Sequence, residues 1–227
     1  MDVRAGALTR RVGGAVGIAP EGVTMASVVL AAGTLALILG WNGAGAVAIV
    51  CGLAIAAFFR DPERSPATAS ERLVFSGADG TVSDVTEMPL PGAGSDERYH
   101  RVSVFMSPLN VHVNRAPVGG EVTSVRHTPG AFNAAFRDHA SEHNERNLVV
   151  MTDARGRQHA IAQIAGYLAR RIVCRLHPHD MVRCGERIGL IMFGSRVDHF
   201  IPRDYRIVVN IGERVRAGES IIGELLQ

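Results

Sequence analysis

The chain contains no lysine, so all 24 of its basic residues are arginines. This absence excludes amine chemistry through pyridoxal phosphate (PLP), because that cofactor is held as a Schiff base on a lysine. It also excludes a lipoyl or biotinyl carrier, whose prosthetic group needs a lysine for attachment. The formal net charge is only +2 and the arginines are scattered, which argues against a surface that binds nucleic acid.

Cysteine is also scarce, with only Cys51, Cys174 and Cys184 and no C-x-x-C spacing. This excludes a disulfide framework and a structural zinc site, and it favours a reducing, cytoplasmic setting for the soluble part. His139 and His143 are four residues apart and would share one face of a helix. They lack an obvious third ligand, so we interpret them as surface histidines and expect no metal.

Two uncharged, apolar runs dominate the N-terminal quarter, at residues 23–41 and 44–59. Each is close to the roughly 20 residues that a helix needs to cross a bilayer. Asn42-Gly43 between them predicts a tight turn. Arginines flank the pair on both outer sides, so both ends are expected in the cytoplasm, at the cell membrane. We predict a membrane-associated helical hairpin within residues 1–64, either spanning or dipping into the bilayer. A cleaved signal peptide and a buried hairpin of a soluble domain are the alternatives.

Residues 65–227 form the second predicted domain, in which short alternating segments are separated by glycine and proline turns. One helix is predicted, at 131–145, where apolar residues recur at helical spacing. The predicted fold class is α+β, mainly β: a compact sandwich or barrel of short strands behind the helical hairpin. The predicted strands are 102–106, 121–125, 148–151, 171–176, 186–193, 206–211 and 220–225.

Internal repeats support this fold class. The segment 182–189, VRCGERIG, recurs as VRAGESII at 215–222, and ADGTVSDV at 78–85 is echoed more weakly by VGGEVTSV at 118–125. In each segment a glycine turn leads into a short strand. This pattern is typical of lipoyl-carrier-like modules, although the carrier function itself is excluded by the missing lysine.

Gly194-Ser195, taken alone, is most simply a turn. It also lacks the second glycine of a G-x-S-x-G nucleophile elbow, which disfavours a hydrolase of that type. The pair gains meaning as the last of six motifs in a fixed order. Their sequences are FFRDPER (58–64), SGADG (76–80), FMSPLNVHVNRAP (105–117), NERN (144–147), IAGYLARRIVC (164–174) and FGSRVD (193–198). This series, which runs from about Phe58 to the C-terminus, resembles the short form of the phosphatidylserine decarboxylase family.

The resemblance implies a proenzyme that cleaves itself between Gly194 and Ser195 into chains 1–194 and 195–227. Ser195 would become an N-terminal pyruvoyl group, which condenses with the amine of the lipid substrate and accepts electrons as carbon dioxide leaves. The implied reaction converts phosphatidylserine into phosphatidylethanolamine. The implied partners are the membrane phospholipid and the two chains of the same proenzyme, and the oligomeric state is left open, a homo-oligomer included.

The resemblance also implies roles for neighbouring residues. Asp79 matches an aspartate that would orient or deprotonate the base for Ser195, and His112 matches a histidine that would protonate the carbanion. Arg115 stands where the longer family form has a second histidine, and an arginine cannot act as a base near neutral pH. Arg115 is instead a candidate for two-pronged binding of the substrate phosphate or carboxylate. His199 is a candidate substitute base or substrate-binding residue, or else a surface histidine.

Three alternative functions are left open by the sequence. An ether lipid with the same serine headgroup, archaetidylserine, would require the same chemistry. A non-catalytic, membrane-anchored β-sandwich that binds a partner would need no cleavage. A serine hydrolase would use Ser195 directly as its nucleophile.

Overall fold

A computed structural model describes residues 17–66, 68, 70–92, 96–130, 144–166, 171–192 and 195–226. Two helices precede a body made of short strands, which confirms the expected α+β, mainly β class. The helices are α1 (Pro20–Ile38) and α2 (Asn42–Phe58). The strands are β1 (Leu73–Phe75), β2 (Gly80–Pro89), β3 (Arg98–Met106), β4 (Val113–Arg115), β5 (Gly120–Thr128), β6 (Arg146–Thr152), β7 (Gln158–Ile164), β8 (Ile172–Cys174), β9 (Met181–Val182), β10 (Arg187–Ile191), β11 (Ser195–Pro202), β12 (Tyr205–Ile207), β13 (Arg214–Val215) and β14 (Ile221–Leu225).

The N-terminal helices pack against each other as a hairpin. A side chain on Gly33, Gly45 or Gly52 would meet the facing helix at 3.0 Å or less, so these glycines allow the two backbones to approach closely. The turn predicted at Asn42-Gly43 is wrong, because Asn42 is the first residue of α2. The chain turns instead at Gly40, whose φ of 82° lies in the left-handed region that glycine tolerates.

Only the first helix, among the described residues, is long and apolar enough to cross a bilayer; α1 has 19 residues and the apolar α2 has 17. Neither helix carries a charged residue beyond Glu21 in the first turn of α1. Large apolar side chains on both helices are exposed, among them Val28, Leu35 and Val50. These features support association with a membrane by composition and length.

The body contains one large sheet and two small ones. The large sheet has the strand order β13-β2-β3-β11-β7-β6-β5-β9, and the small sheets have the orders β1-β14-β12 and β4-β10-β8. This arrangement contains an internal duplication. The half formed by β1, β2, β3, β11, β12, β13 and β14 repeats in the half formed by β4 to β10, and the two halves meet where β11 pairs with β7.

The glycine-turn repeats of the sequence fall at equivalent places in the two halves. Gly185 between β9 and β10 has a φ of 78°, and Gly218 between β13 and β14 has a φ of 73°. The two turns also touch, because the Gly185 and Gly218 α-carbons would each lie within 4 Å of a side chain on the other. The repeated motif therefore marks a structural duplication.

Most of the predicted strands are confirmed, although their ends move. The segments 102–106, 121–125, 148–151 and 220–225 lie within, or one residue beyond, β3, β5, β6 and β14. The segments 171–176 and 186–193 shorten to β8 and β10, and residue 193 lies outside the described residues. The strand predicted at 206–211 is wrong in its second half, because only β12 (Tyr205–Ile207) is extended and residues 211–212 form a turn. The helix predicted at 131–145 falls mainly on residues 131–143, which lie outside the described residues.

The hairpin is joined closely to the body. Phe58 and Phe59 at the end of α2 pack with Val111, Val113 and Leu190 in one buried cluster. Ion pairs reinforce this joint: Glu21 of α1 binds Arg175. The division into residues 1–64 and 65–227 stays a prediction, and the two parts share this buried surface.

Candidate active site

Ser195 is the first residue of β11, a strand that lies in the interior of the large sheet. It pairs with Met106 at the end of β3, and the next residue along, Arg196, also pairs with Ile164 of β7. Because strand residues alternate between faces, Ser195 points to the same side as Val197 and His199, towards the main hydrophobic core. Its exposed fraction is 0%, so water has no direct access to the side chain. Gly194 lies outside the described residues.

The Ser195 hydroxyl has only a weak acceptor among the described residues. Its Oγ lies 3.5 Å from the thioether Sδ of Met106. A thioether is a poor hydrogen-bond acceptor, and buried hydroxyls normally find a stronger one. The hydroxyl is therefore buried and makes only a weak hydrogen bond within the described residues, which suits a nucleophile.

A row of buried amide side chains ends at Met106, the residue that the serine hydroxyl contacts. Asn147 on β6 donates to Gln163 on β7, and Gln163 donates to Asn114 on β4. The Asn114 amide in turn lies 3.8 Å from the same Met106 Sδ that the serine reaches. The sequence analysis missed these three residues, and the only available signal was that Asn114 and Asn147 lie within the family motifs.

His112 immediately precedes β4 and is buried, with an exposed fraction of 2%. Its Nδ1 lies 3.0 Å from the carbonyl oxygen of Asn110, so in the neutral ring this nitrogen is the donor. Its Nε2 has no hydrogen-bond partner among the described residues. The ring packs on Phe58 at the end of α2, with 4.2 Å between centroids and 34° between planes.

The surroundings of His112 favour its neutral form. The pKa of the imidazole is lowered from 6.5 to about 4, mainly by burial and to a smaller extent by the nearby Arg60, while the Asn110 carbonyl and, more weakly, Asp79 oppose the shift. At neutral pH the ring therefore carries a free Nε2 lone pair in a dry environment. Such a nitrogen can take up a proton and return it.

Asp79 lies in the turn before β2 and is committed to other partners. Arg64, from the segment after the hairpin, binds both carboxylate oxygens, and the backbone N–H of Ala217 donates to Oδ1 at 2.8 Å. The hydrogen bond to Asp79 is the largest effect raising the pKa of Arg64. Within the described residues no hydrogen bond joins Asp79 to a histidine or to Ser195. The orienting role predicted for Asp79 therefore stays a prediction.

Arg115, the last residue of β4, is buried and faces the segment that follows the hairpin. Its guanidinium donates to the carbonyl oxygens of Gly185 (2.9 Å) and Pro62 (2.8 Å) and pairs with Asp61. Burial lowers its pKa, and the neighbouring Arg187, which also binds Asp61, lowers it further. These contacts hold the segment that follows the hairpin against the body, and they leave the phosphate-binding role predicted for Arg115 without support from the geometry.

His199 lies on the same face of β11 as Ser195, and its exposed fraction is 0%, so it is not a surface histidine. Its Nε2 accepts the backbone N–H of Gly77 at 2.7 Å, and its Nδ1 therefore donates to the carbonyl of Val102 at 3.1 Å. Burial lowers its pKa to about 4. Both nitrogens are engaged, so the geometry favours a role in holding the turn before β2. The roles predicted for His199 as base or substrate contact stay untested.

A cavity of about 570 Å³ lies elsewhere, beside the start of β5 and the turn after β6. None of the residues predicted for the site lines it; its walls include Val118, Thr152 and Cys184. Position in the fold and the chemistry of Ser195, His112 and Asn114 identify the candidate site better than the size of this cavity does.

Comparison with known proteins gives a consistent result. The family model for phosphatidylserine decarboxylase matches residues 52–223. Three relatives carry the name phosphatidylserine decarboxylase proenzyme. The Chlorobium chlorochromatii protein is 48% identical over 167 residues (73% of this chain and 76% of the relative). The Ruegeria pomeroyi protein is 45% identical over 191 residues (83% and 84%), and the Solidesulfovibrio magneticus protein is 39% identical over 208 residues (92% and 96%). The resemblance expected from the motifs is confirmed: the chain belongs to the phosphatidylserine decarboxylase family.

Proposed function

We propose that this protein is a proenzyme that cleaves itself between Gly194 and Ser195 and then decarboxylates phosphatidylserine to phosphatidylethanolamine. The observation that carries this proposal is the position of Ser195. It is a fully buried serine with a weakly committed hydroxyl, at the start of an interior strand, in a chain whose relatives are named as proenzymes. The products of cleavage are chains 1–194 and 195–227.

The first step is a shift of the acyl group from nitrogen to oxygen. The Ser195 Oγ attacks the carbonyl carbon of Gly194; the new C–O bond forms, the C–N bond breaks, and the hydroxyl proton ends on the released amine. A glycine before the bond presents no side chain to obstruct the attack. Elimination from the ester removes the α-proton of residue 195 and expels the Gly194 carboxylate, which leaves dehydroalanine at residue 195. Hydrolysis of the dehydroalanine consumes water and gives a pyruvoyl group and ammonia. Burial of Ser195 limits the access of bulk water to the ester, which favours elimination over direct hydrolysis of the ester.

The residues around Ser195 suit a small uncharged carbonyl group. The hydrogen-bond contact of its side chain within the described residues is the uncharged thioether of Met106, and the uncharged amide of Asn114 contacts the same sulfur. A pyruvoyl group supplies the electron-accepting carbonyl that a chain without lysine cannot obtain through pyridoxal phosphate. We assign no metal to the site.

His112 serves as the proton-transfer residue in this proposal. Its Nε2 is buried and unpartnered within the described part of the chain, and the low pKa keeps its lone pair available. A group of this kind can hold a proton briefly and return it to the carbon that has lost carbon dioxide. Phe58 packs on the ring and fixes its plane, so the end of the hairpin contributes a wall to the site.

The hairpin keeps the site near its lipid. The headgroup of a phospholipid stays at the bilayer surface, and His112 lies directly behind the last turn of α2. Leu109, three residues before His112 in the same loop, is 85% exposed, and its carbonyl accepts a hydrogen bond from Arg60. We propose that this loop meets the membrane interface with the body on the cytoplasmic side, as the flanking arginines of the sequence suggest.

Intact-mass measurement tests the proposal directly. The expected result is two chains that correspond to 1–194 and 195–227, with the small chain lacking a free N-terminal amine, and a single intact chain for Ser195→Ala. A single chain for the unaltered protein in membranes that convert phosphatidylserine would overturn the proposal. Labelling of the uncleaved chain at Ser195 by a fluorophosphonate would point instead to a hydrolase.

The ether-lipid alternative has the same headgroup chemistry. Parallel assays with phosphatidylserine and archaetidylserine in vesicles of matched composition distinguish them, because the two lipids share the serine headgroup and differ in the glycerol and hydrocarbon part. We expect the ester lipid to be the better substrate, given the names of the relatives.

A further inference from the structure

The buried amides Asn147, Gln163 and Asn114 form a chain of hydrogen bonds with one direction. Asn147 Nδ2 donates to Gln163 Oε1 at 3.0 Å, and Gln163 Nε2 donates to Asn114 Oδ1 at 2.9 Å. All three residues are at most 3% exposed. Because Oδ1 of Asn114 accepts from Gln163, the opposite end of that amide must present its N–H groups.

Those N–H groups of Asn114 point towards Ser195's own acceptor. Asn114 Nδ2 lies 3.8 Å from Met106 Sδ, and Ser195 Oγ lies 3.5 Å from the same sulfur. Two buried donors thus share one thioether, which is a weak acceptor. A buried donor without a strong partner costs free energy, so such an arrangement calls for an explanation in a native protein.

We propose that Asn114 supplies the hydrogen bond that stabilises negative charge on Ser195 Oγ during self-cleavage, and that Gln163 is the positioning residue that orients it. This inference rests on the proposed function. As the hydroxyl proton leaves for the amide nitrogen, charge develops on Oγ before the C–O bond is complete. Met106 has a flexible side chain, and when its sulfur moves aside, the Asn114 N–H that contacted it is left to donate to another acceptor. The donor is not consumed.

The arrangement explains why the donor is an amide. A charged donor would be costly to bury in this core, whereas a neutral amide held at its far end is already oriented when charge appears. Gln163 is well placed for this because it faces Val197, the residue two positions after Ser195 on the same side of β11. The amide row therefore crosses from β6 through β7 to β4 on the core side of the sheet.

The test compares self-cleavage of newly translated full-length chains by intact mass over time. Asn114→Leu removes the donor, and we expect cleavage about 100-fold slower, the usual effect of losing one preorganised donor. Gln163→Met keeps Asn114 but removes the hydrogen bond that orients its amide. We expect this variant to cleave at a rate between those of the unaltered chain and Asn114→Leu. Because Gln163 acts through Asn114, the double variant should cleave no more slowly than Asn114→Leu alone.

Urea unfolding of Ser195→Ala versions of each variant separates this role from a structural one. Asn147→Leu is the matched control, because it breaks the far end of the row and costs similar stability while Asn114 keeps its partner Gln163. The inference would be overturned if the cleavage rate fell in proportion to the free energy of unfolding in all three single variants. It would also be overturned if Asn114→Leu cleaved at the rate of the unaltered chain. If the unaltered chain does not cleave at all, the proposed function fails first.

Discussion

Replacing Phe58 by alanine tests whether the N-terminal hairpin helps to set the chemistry of His112. Phe58 is 7% exposed and its ring lies 4.2 Å from that of His112. Removing the ring opens a space between the hairpin and the imidazole, and burial is the largest cause of the low His112 pKa. Water entering this space should stabilise the protonated ring, so we expect the pKa to rise from about 4 towards the ordinary 6.5.

The size of the effect follows from the pKa values. With a pKa of about 4, roughly 1 in 100 His112 rings is protonated at pH 6. A rise of about 2 units would protonate about half of them at that pH. The acid limb of the decarboxylation rate should therefore move to higher pH by a similar amount. Loss of the buried ring should also lower the free energy of unfolding, by about 3 kcal/mol or more.

The assay is an NMR titration of the histidine ring in the cleaved full-length protein, together with the pH dependence of carbon dioxide release. Phe59→Ala is the matched control, because Phe59 contacts Phe58 edge-on at 5.0 Å and packs on Gly22 of α1. It should lose comparable stability with a smaller change of the His112 pKa. An unchanged His112 pKa in Phe58→Ala, or an equal shift in Phe59→Ala, would refute the reasoning.

Three further changes give distinct outcomes. His112→Gln should still cleave, by intact mass, but release carbon dioxide at least about 100-fold more slowly; normal turnover would remove His112 from the site. Asp79→Asn removes the charge that binds the half-buried Arg64 and leaves Glu219, at 3.8 Å, as its other ion-pair partner, so urea unfolding should show a loss of about 2 kcal/mol and cleavage should slow; an unaffected protein would show that the pair is dispensable. Gly189→Ala should not fold, because the new carbon would lie 1.9 Å from the Val173 carbonyl oxygen, whereas Gly43→Ala has open space and should behave normally by circular dichroism.

The class of the fold could be predicted because many of its strands carry a recognisable local sequence pattern. Alternating apolar residues and glycine turns identified the strands in 102–106 and 148–151, and the repeated VRxGExI motif identified a duplicated unit. β11 was missed because Arg196, Asp198 and His199 look like surface residues. In the fold, Arg196 and Asp198 neutralise each other as a buried pair, with 2.9 Å between Nε and Oδ1. Such compensation depends on burial and is invisible to a local pattern.

The site could be predicted only where a motif names the reactive residue. Ser195 and His112 follow from the ordered motifs, and both lie beside the core in the fold. The partners of Asp79, Arg115 and His199 could not be foreseen, because they come from residues 15 to 138 positions away in the sequence. The amide row was also hidden, since its members come from three different strands. Contacts of this kind are set by sheet topology and not by neighbouring sequence.

β11 has a consequence for the lifetime of the protein once residue 195 begins a separate chain. This strand is hydrogen-bonded to β3 and β7 in the large sheet. Of the other strands in residues 195–227, β13 also lies in the large sheet, and β12 and β14 lie in one of the small sheets. The small fragment can leave only if these sheets open, so cleavage does not release it. If the fragments do separate, refolding becomes an encounter between two molecules, at a rate that depends on their concentration. After self-cleavage, the lifetime of the folded protein therefore depends on its unfolding rate, because the separated fragments do not refold as a single chain does.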